Sequence, residues 1–462
     1  MKLTQAAKAK FNAGNFPNML LNEVKIESIT LNPNTSYVAD KFVLEAPQIQ
    51  QRLQGHHVVI AGWLVSNKAI DTHHICVIEK DSILKRAKLN VQRPDIAEKL
   101  DSNETNIPIG FHFEFSTIGL PPQFEFQLRL QFSDNTNSAR SINLCRILGS
   151  KISYLNLPTK YSPIHVTAIG RSGTTLLMQV LGLHPEVLVT NFYPYEIRQA
   201  GYWLHFFKAT TAPADFEDSS HPDKFEADRF HIGHNPYSHP EYINQYKNPQ
   251  AAQEYYTNTT HAALAQLCIN QIDNYYKLIS EQEQKPKAKF FAEKFIPNQT
   301  QYISQDIYKT TKEIILTRDF RDILCSAQSF NKKRNSLSFG RDKANNDFEW
   351  IDNLAVAGAR RLTDAFQERS HLALHVRYED LIKNPSEQIL RIFEYLEIEH
   401  TTKLIDLIIK QVFSKESDIK THSTTSSPQA SIGRWKTDMP NELQKHCEER
   451  LGYALRTFGY TV

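Results

Sequence analysis

The chain has 462 residues, 40% of them hydrophobic, enough for packed cores in two or three domains or in one large domain and a smaller one. With 53 Lys and Arg against 51 Asp and Glu, nothing global favours nucleic acid or an anionic membrane surface, so any anion site must be local. Five widely spaced cysteines, an odd number with no C-x-x-C pair, speak against a disulfide framework or structural zinc and fit a reducing compartment.

The N-terminal stretch "MKLTQAAKAKFNAGNF" is basic but lacks the apolar core of a secretion signal. No window approaches the roughly 18 apolar residues needed to span a bilayer. A cytoplasmic protein with no transmembrane segment is expected. Residues 1–34 read as a lead segment and 35–150 as an all-β, sandwich-like domain. "FEFQLRLQF" (124–132) alternates strictly, with Phe124, Phe126, Leu128, Leu130 and Phe132 on one face. "FHFEF" (111–115) and "SINLCRI" (141–147) alternate too, and "HVVIAGWLV" (57–65) is apolar on both faces, which makes Trp63 a core residue. Turn signals such as "GLPPQ" and "SDNTNS" separate these strands. The domain carries no catalytic constellation, and a packing or oligomerisation role is expected before a glycan-binding one.

From about 160 to 462 strands alternate with helices. "IHVTAI", "AKFFAE", "KEIILT" and "HLALHV" each precede a helical pattern, which predicts an α/β domain: a parallel sheet covered on both faces, with ligands at the carboxyl ends of its strands. Residues 191–285 are too long for a simple connection and read as an insertion on the acceptor side. Residues 414–430 are predominantly polar.

The strand "IHVTAI" runs into "GRSGTTLLMQVLGLHPEV". This is P-loop-like in place but not in spelling, since Gly170 and Gly173 are three apart and no Lys precedes Thr174. Its physics is still that of an anion nest. Glycines let the backbone curl, the N–H groups of 172 to 175 open a helix, Thr174 and Thr175 add hydroxyls, and Arg171 adds a guanidinium. A plain strand–helix turn would use the same residues. A second motif, "ILTRDFRDILCSAQSF", puts Arg318 past a strand and Ser326 in the next helix, where they can grip a separate phosphate. The alternative is a salt-bridged turn in which Asp319 and Asp322 satisfy Arg318 and Arg321. A third piece, "SIGRWK", offers backbone donors at Gly433, the Arg434 guanidinium and the Trp435 indole, or else is a loop with a packed Trp.

In this order the three pieces resemble the sulfotransferase family that uses 3'-phosphoadenylyl sulfate (PAPS), and its bacterial-type members in particular. "RYEDL" (377–381) followed by Pro385 is similar to a further family landmark. The resemblance covers about 162–458. It implies the sulfotransferase fold, PAPS as co-substrate and an acceptor hydroxyl on a saccharide, lipid, small molecule or peptide tyrosine, with no metal and no nucleic acid. It places Arg171, Ser172, Gly173, Thr174 and Thr175 at the 5'-phosphosulfate and Arg318, Ser326 and Arg434 at the 3'-phosphate, with Gly433 and Trp435 in the loop that closes over the nucleotide. "PYEIRQA" is similar to an E-x-R of the tyrosylprotein branch. That makes Glu196 the candidate base and Arg198 its partner, although the spacing differs by the extra "VTNFYPY". Lys294, in "FFAEKFIPN", falls where the family commonly has a Lys beside the bridging oxygen. The histidines at 231, 234 and 239 have no Cys or carboxylate among them, so no metal site is expected, and His184 reads as a residue at a helix C-terminus. A kinase-like phosphotransferase is the rival enzyme, but it would need a loop Lys. A nucleotide- or glycan-binding protein that has lost catalysis is the rival of another class.

Overall fold

The computed structural model describes residues 20–34, 39–54, 56–66, 74–79, 82–99, 108–133, 139–155, 157–213, 245–298, 300–413 and 424–462. The chain divides into two compact units, Met1–Pro158 with His205–Cys268 and Thr159–Leu204 with Ile269–Val462. No helix among the described residues is long and apolar enough to cross a membrane.

The first unit holds strands β1 (Leu20–Leu31), β2 (Ala39–Ala46), β3 (Arg52–Gln54), β4 (His57–Ser66), β5 (His74–Glu79), β6 (Ser82–Lys88) and β7 (Val91–Gln92). A short helix α1 (Pro94–Lys99) and strands β8 (Pro108–Ser116), β9 (Gln123–Ser133) and β10 (Ala139–Leu155) follow. They pair into antiparallel sheets ordered β3-β1-β10-β9-β5-β6 and β2-β4-β8-β7. Period-two patterning explains the core. Phe124, Phe126, Leu128 and Leu130 of β9 lie in one apolar cluster with Phe111, Phe113 and Phe115 of β8 and Val58 and Ile60 of β4. A bulge between Asn143 and Cys145 resets the alternation of "SINLCRI", so that Leu144 and Cys145 are both buried. Trp63 is buried, as expected.

Two boundaries differ from the sequence reading. The stretch 1–34 is more than a lead segment. Its strand β1 pairs with β10 and buries Val24 and Ile26, so the sheet begins at Leu20 and not at 35. The stretch 191–285 is divided, because His205–Cys268 groups with the β-sheet unit. There Lys208 Nζ donates to the Ile118 carbonyl at 2.5 Å, and the His261 ring stacks on His56 at 4.5 Å. Residues 214–244, with His231, His234 and His239, lie outside the described residues, as do 414–423.

In chain order the remaining elements begin with β11 (Ser162–Thr167), α2 (Thr174–Gly182), β12 (Val187–Leu188), α3 (Gln199–Thr210), α4 (Pro249–Glu254), α5 (His261–Gln282) and β13 (Phe290–Phe295). They continue with α6 (Thr300–Ile307), β14 (Lys312–Thr317), α7 (Phe320–Arg334), α8 (Asp347–Ile351), α9 (Ala357–Arg369), β15 (Leu374–Arg377), α10 (Tyr378–Lys383) and α11 (Pro385–Leu396). The last are α12 (Thr402–Val412), α13 (Trp435–Asp438) and α14 (Asn441–Thr457). The five strands β12-β13-β11-β14-β15 form an all-parallel sheet. Successive residues of β14 go to opposite faces. Ile314 and Leu316 join a cluster with residues of α2 and α11, while Ile315 joins another with α7, α9 and α14. This two-faced burial is why the strand "KEIILT" is continuously apolar from Ile314 to Leu316. His184, just past α2, presents Nε2 to the Glu399 carbonyl at 2.7 Å, which fits its reading as a helix-end residue.

Candidate active site

The carboxyl ends of the parallel strands supply one functional segment each: 168–175 after β11, Lys294 near the end of β13, Arg318 after β14 and Tyr378 after β15. They line a cavity of about 440 Å³, together with Glu196, Arg198 and Ser326. This is the crevice where open parallel sheets bind ligands.

The loop after β11 is shaped by a steric demand. Gly173, the N-cap of α2, has φ 92°, and a Cβ there would sit 2.3 Å from the Tyr378 ring. Only glycine meets both conditions. The helix opens without a side-chain cap, and its first two residues, Thr174 and Thr175, line the cavity. Ser172 is fully buried, and its Oγ has no hydrogen-bond partner. Arg171 has φ 68°, and its side chain runs away from these donors. Its Nε donates to Ser326 Oγ at 3.1 Å and its guanidinium lies over the Phe330 ring at 4.6 Å. The sequence reading places Arg171 beside the loop's own hydroxyls. The structure brings it to Ser326, the residue read as part of the other phosphate grip. Burial, with Arg318 nearby, lowers its pKa to about 10.

Lys294, Glu196 and Arg198 are brought together. Lys294 Nζ donates to Glu196 Oε1 at 2.8 Å, to Thr175 Oγ1 at 3.1 Å and to the Pro194 carbonyl at 2.5 Å. Arg198 donates to Glu196 Oε2 at 3.2 Å. Burial pushes the Lys294 ammonium below its usual pKa, against the pull of Glu196. The residue that organises this segment was not singled out from the sequence. Glu293 is buried, and its carboxylate accepts from Ala200 N at 2.7 Å and Gly201 N at 3.0 Å, capping the start of α3, and from Tyr276 Oη at 2.7 Å. Burial raises its pKa to about 7. The available signal was an acid inside the apolar run "KFFAEKF". Glu293 and Lys294 point to opposite sides of β13, one holding the helix and the other the loop before it.

At the other end, Arg318 has no ion pair among the described residues. Asp319 pairs with Arg321 instead, at 2.8 Å. Arg318 donates to the Arg171 carbonyl at 3.1 Å and the Ser431 carbonyl at 2.7 Å, lies over the Tyr378 ring at 4.8 Å, and leaves Nε without a partner. The "RYEDL" segment braces this corner. Tyr378 Oη meets Ser431 Oγ at 3.0 Å, and Glu379 accepts from Asp319 N at 2.9 Å. Arg434 donates to Thr424 Oγ1 at 3.1 Å and Ser329 Oγ at 2.9 Å, and Thr424 Oγ1 lies 3.5 Å from Ser326 Oγ. The backbone donors expected of the "SIGRWK" loop are engaged within the chain. Gly433 N and Trp435 N both donate to Asp322, and the Trp435 indole stacks under Arg321 at 3.7 Å. Among the described residues no three His, Cys, Asp or Glu side chains converge as a metal site would require.

The model of the sulfotransferase family matches residues 163–402, more than half of the chain. The chain therefore belongs to the sulfotransferase family. Among solved structures, the sulfotransferase domain of the curacin biosynthetic pathway is 14% identical, over 66% of this chain and 100% of that one, with a TM-score of 0.35. The sulfotransferase domain of the Synechococcus PCC 7002 olefin synthase is 16% identical over 66% and 97%, at 0.35. A sulfotransferase from Alicyclobacillus acidocaldarius is 13% identical over 65% and 97%, at 0.33. No curated protein matches the chain.

Proposed function

We propose that this chain transfers the sulfuryl group of PAPS to an acceptor hydroxyl. Family membership supports sulfotransfer in general. The observation that carries the donor assignment is one cavity lined both by Thr174 and Thr175 at the opening of α2 and by Arg318 past β14, whose buried Nε has no partner. Two such ends suit a donor with a 5'-phosphosulfate and a 3'-phosphate, and buried polar groups of this kind call for a ligand's acceptor atoms.

The proposed step is an in-line displacement at sulfur. The acceptor oxygen forms the new O–S bond while the bond from sulfur to the 5'-phosphate oxygen breaks. Glu196 takes the hydroxyl proton and 3',5'-ADP departs. Lys294, held beside Thr175, meets the charge that develops on the departing oxygen. For that, Lys294 and Glu196 exchange their present ion pair for contacts to donor and acceptor. The acceptor is a hydroxyl of a saccharide, lipid, small molecule or peptide tyrosine, and the chain acts in the cytoplasm, where the donor is made.

Calorimetry tests the donor. We expect 3',5'-ADP to bind at low micromolar Kd or tighter, and AMP at least about tenfold more weakly, the loss of one charge-assisted contact. Equal binding of the two, or preferential binding of ATP with magnesium, would overturn the assignment.

A further inference from the structure

Asp322 stands in the first turn of α7, is fully buried, and bonds to no cation among the described residues. Its two oxygens each accept one backbone N–H from the same short loop, Gly433 N on Oδ2 at 2.7 Å and Trp435 N on Oδ1 at 3.0 Å. The loop is shaped for this. Gly433 is left-handed, at φ 70°, and Arg434 right-handed, at φ −63°. That succession turns the N–H groups on either side of Arg434 towards one point, a backbone nest of the kind that holds anions. Here the anion is the chain's own carboxylate.

We propose that Asp322 is a positioning residue for donor selection: by clasping Gly433 and Trp435 it fixes Ser431, which lines the cavity end that recognises a nucleotide 3'-phosphate, and Arg434 behind it, where Arg434 pairs with Asp438 and holds Thr424. The inference rests on the proposed reading of that end. Ser431 is tied through its carbonyl to Arg318 and through its hydroxyl to Tyr378. Arg434 reaches Thr424, the neighbour of Ser326. Ser431 and Arg434 thus connect this loop to Arg318 and Ser326, and Asp322 anchors it through Gly433 and Trp435. It does not line the cavity itself.

The chemistry requires a carboxylate. Two N–H donors face two different oxygens, so an amide would have to turn its NH2 towards one of them, leaving two buried donors opposed. Burial raises the Asp322 pKa to about 6, with the Gly433 and Trp435 N–H groups and Arg318 pulling it down and Asp319 pushing it up. A buried carboxylate with no bonded cation is a costly way to hold a loop unless the loop's position matters.

The test compares 3',5'-ADP and AMP by calorimetry on the full chain and on Asp322→Asn. We expect 3',5'-ADP affinity to fall about tenfold or more while AMP affinity stays within about twofold, so the preference for the 3'-phosphate narrows. General damage to the fold would weaken both nucleotides. If Asp322→Asn does not fold, Gly433→Ala displaces the same two N–H groups, because φ 70° strains an Ala even though its Cβ would meet no atom within 4 Å. The same selective loss, smaller in size, is expected. A wild-type preference that either folded variant retains in full would overturn this inference alone. A wild type that binds both nucleotides equally would overturn the reading of the cavity and this inference with it.

Discussion

The two ends of the cavity are built on different plans. At the loop end, the charged groups are satisfied by one another: Lys294 by Glu196, and Glu196 by Arg198, with the Glu196 side chain 54% exposed. At the far end, Arg318 is 4% exposed and held by two backbone carbonyls, which cannot move away without unfolding the loop. Side chains that pair with side chains can exchange partners on binding. A guanidinium pinned by main chain is fixed in advance. In the proposed reading the first plan serves the group that reacts and the second the phosphate that does not. The difference should divide mutational effects into losses of turnover and losses of binding.

The largest expected effect is at Glu196. Glu196→Gln keeps shape and hydrogen bonding but removes the base, and should lower kcat by about 10²- to 10⁴-fold with 3',5'-ADP affinity nearly unchanged. Near wild-type kcat in single-turnover sulfate transfer would shift the search to His205, exposed on α3, and then to His231. Lys294→Ala comes next. Loss of a donor aimed at developing charge is worth about 10²- to 10³-fold in kcat. Because Lys294 and Glu196 are bonded, the double variant should lose much less than the product of the two single losses. A fully multiplicative double variant would mean that the pair does not act as a unit.

Arg318→Ala probes the other plan. It should raise the donor KM by about ten- to a hundredfold, the range for a hydrogen bond to a charged group, with kcat changed much less. A loss in kcat at constant KM would erase the distinction between the two ends.

How much of this was legible in the sequence follows the range of the interactions. The loop at 170–175 and the strand-end position of Arg318 are local events, a strand stopping at a glycine or an arginine, and both could be read directly. The E-x-R at Glu196 and Arg198 is a local ion pair, and it forms. Glu293 and Asp322 act across 92 to 113 residues on backbone N–H groups, which no side-chain spelling marks. Arg171 could be assigned to its loop by adjacency, but its left-handed φ sends the side chain towards Ser326, 155 residues on. Strand β1 was hidden for a different reason. Its alternating Val24 and Ile26 are embedded among polar residues, and its burial comes from pairing with β10.

The smallest expected effect is the one that tests where the two ends meet. Ser326 Oγ accepts from Arg171 Nε, so its own proton is available to a phosphate oxygen. Ser326→Ala removes one donor to an anion and at the same time releases Arg171. If Arg171 serves the 3' end, where its side chain now lies, the released guanidinium still faces the phosphate and partly replaces the lost hydroxyl. The donor KM should then rise by only about three- to tenfold, less than for Arg318→Ala, with kcat and AMP affinity unchanged. If Arg171 instead serves the sulfuryl group, as its place in the loop suggests, Ser326 is what restrains it, and its release should change kcat. Steady-state kcat and donor KM for Ser326→Ala, measured beside AMP binding, decide between these. A change in kcat at constant donor KM would assign Arg171 to the reacting end and make Ser326 the tether between the two plans.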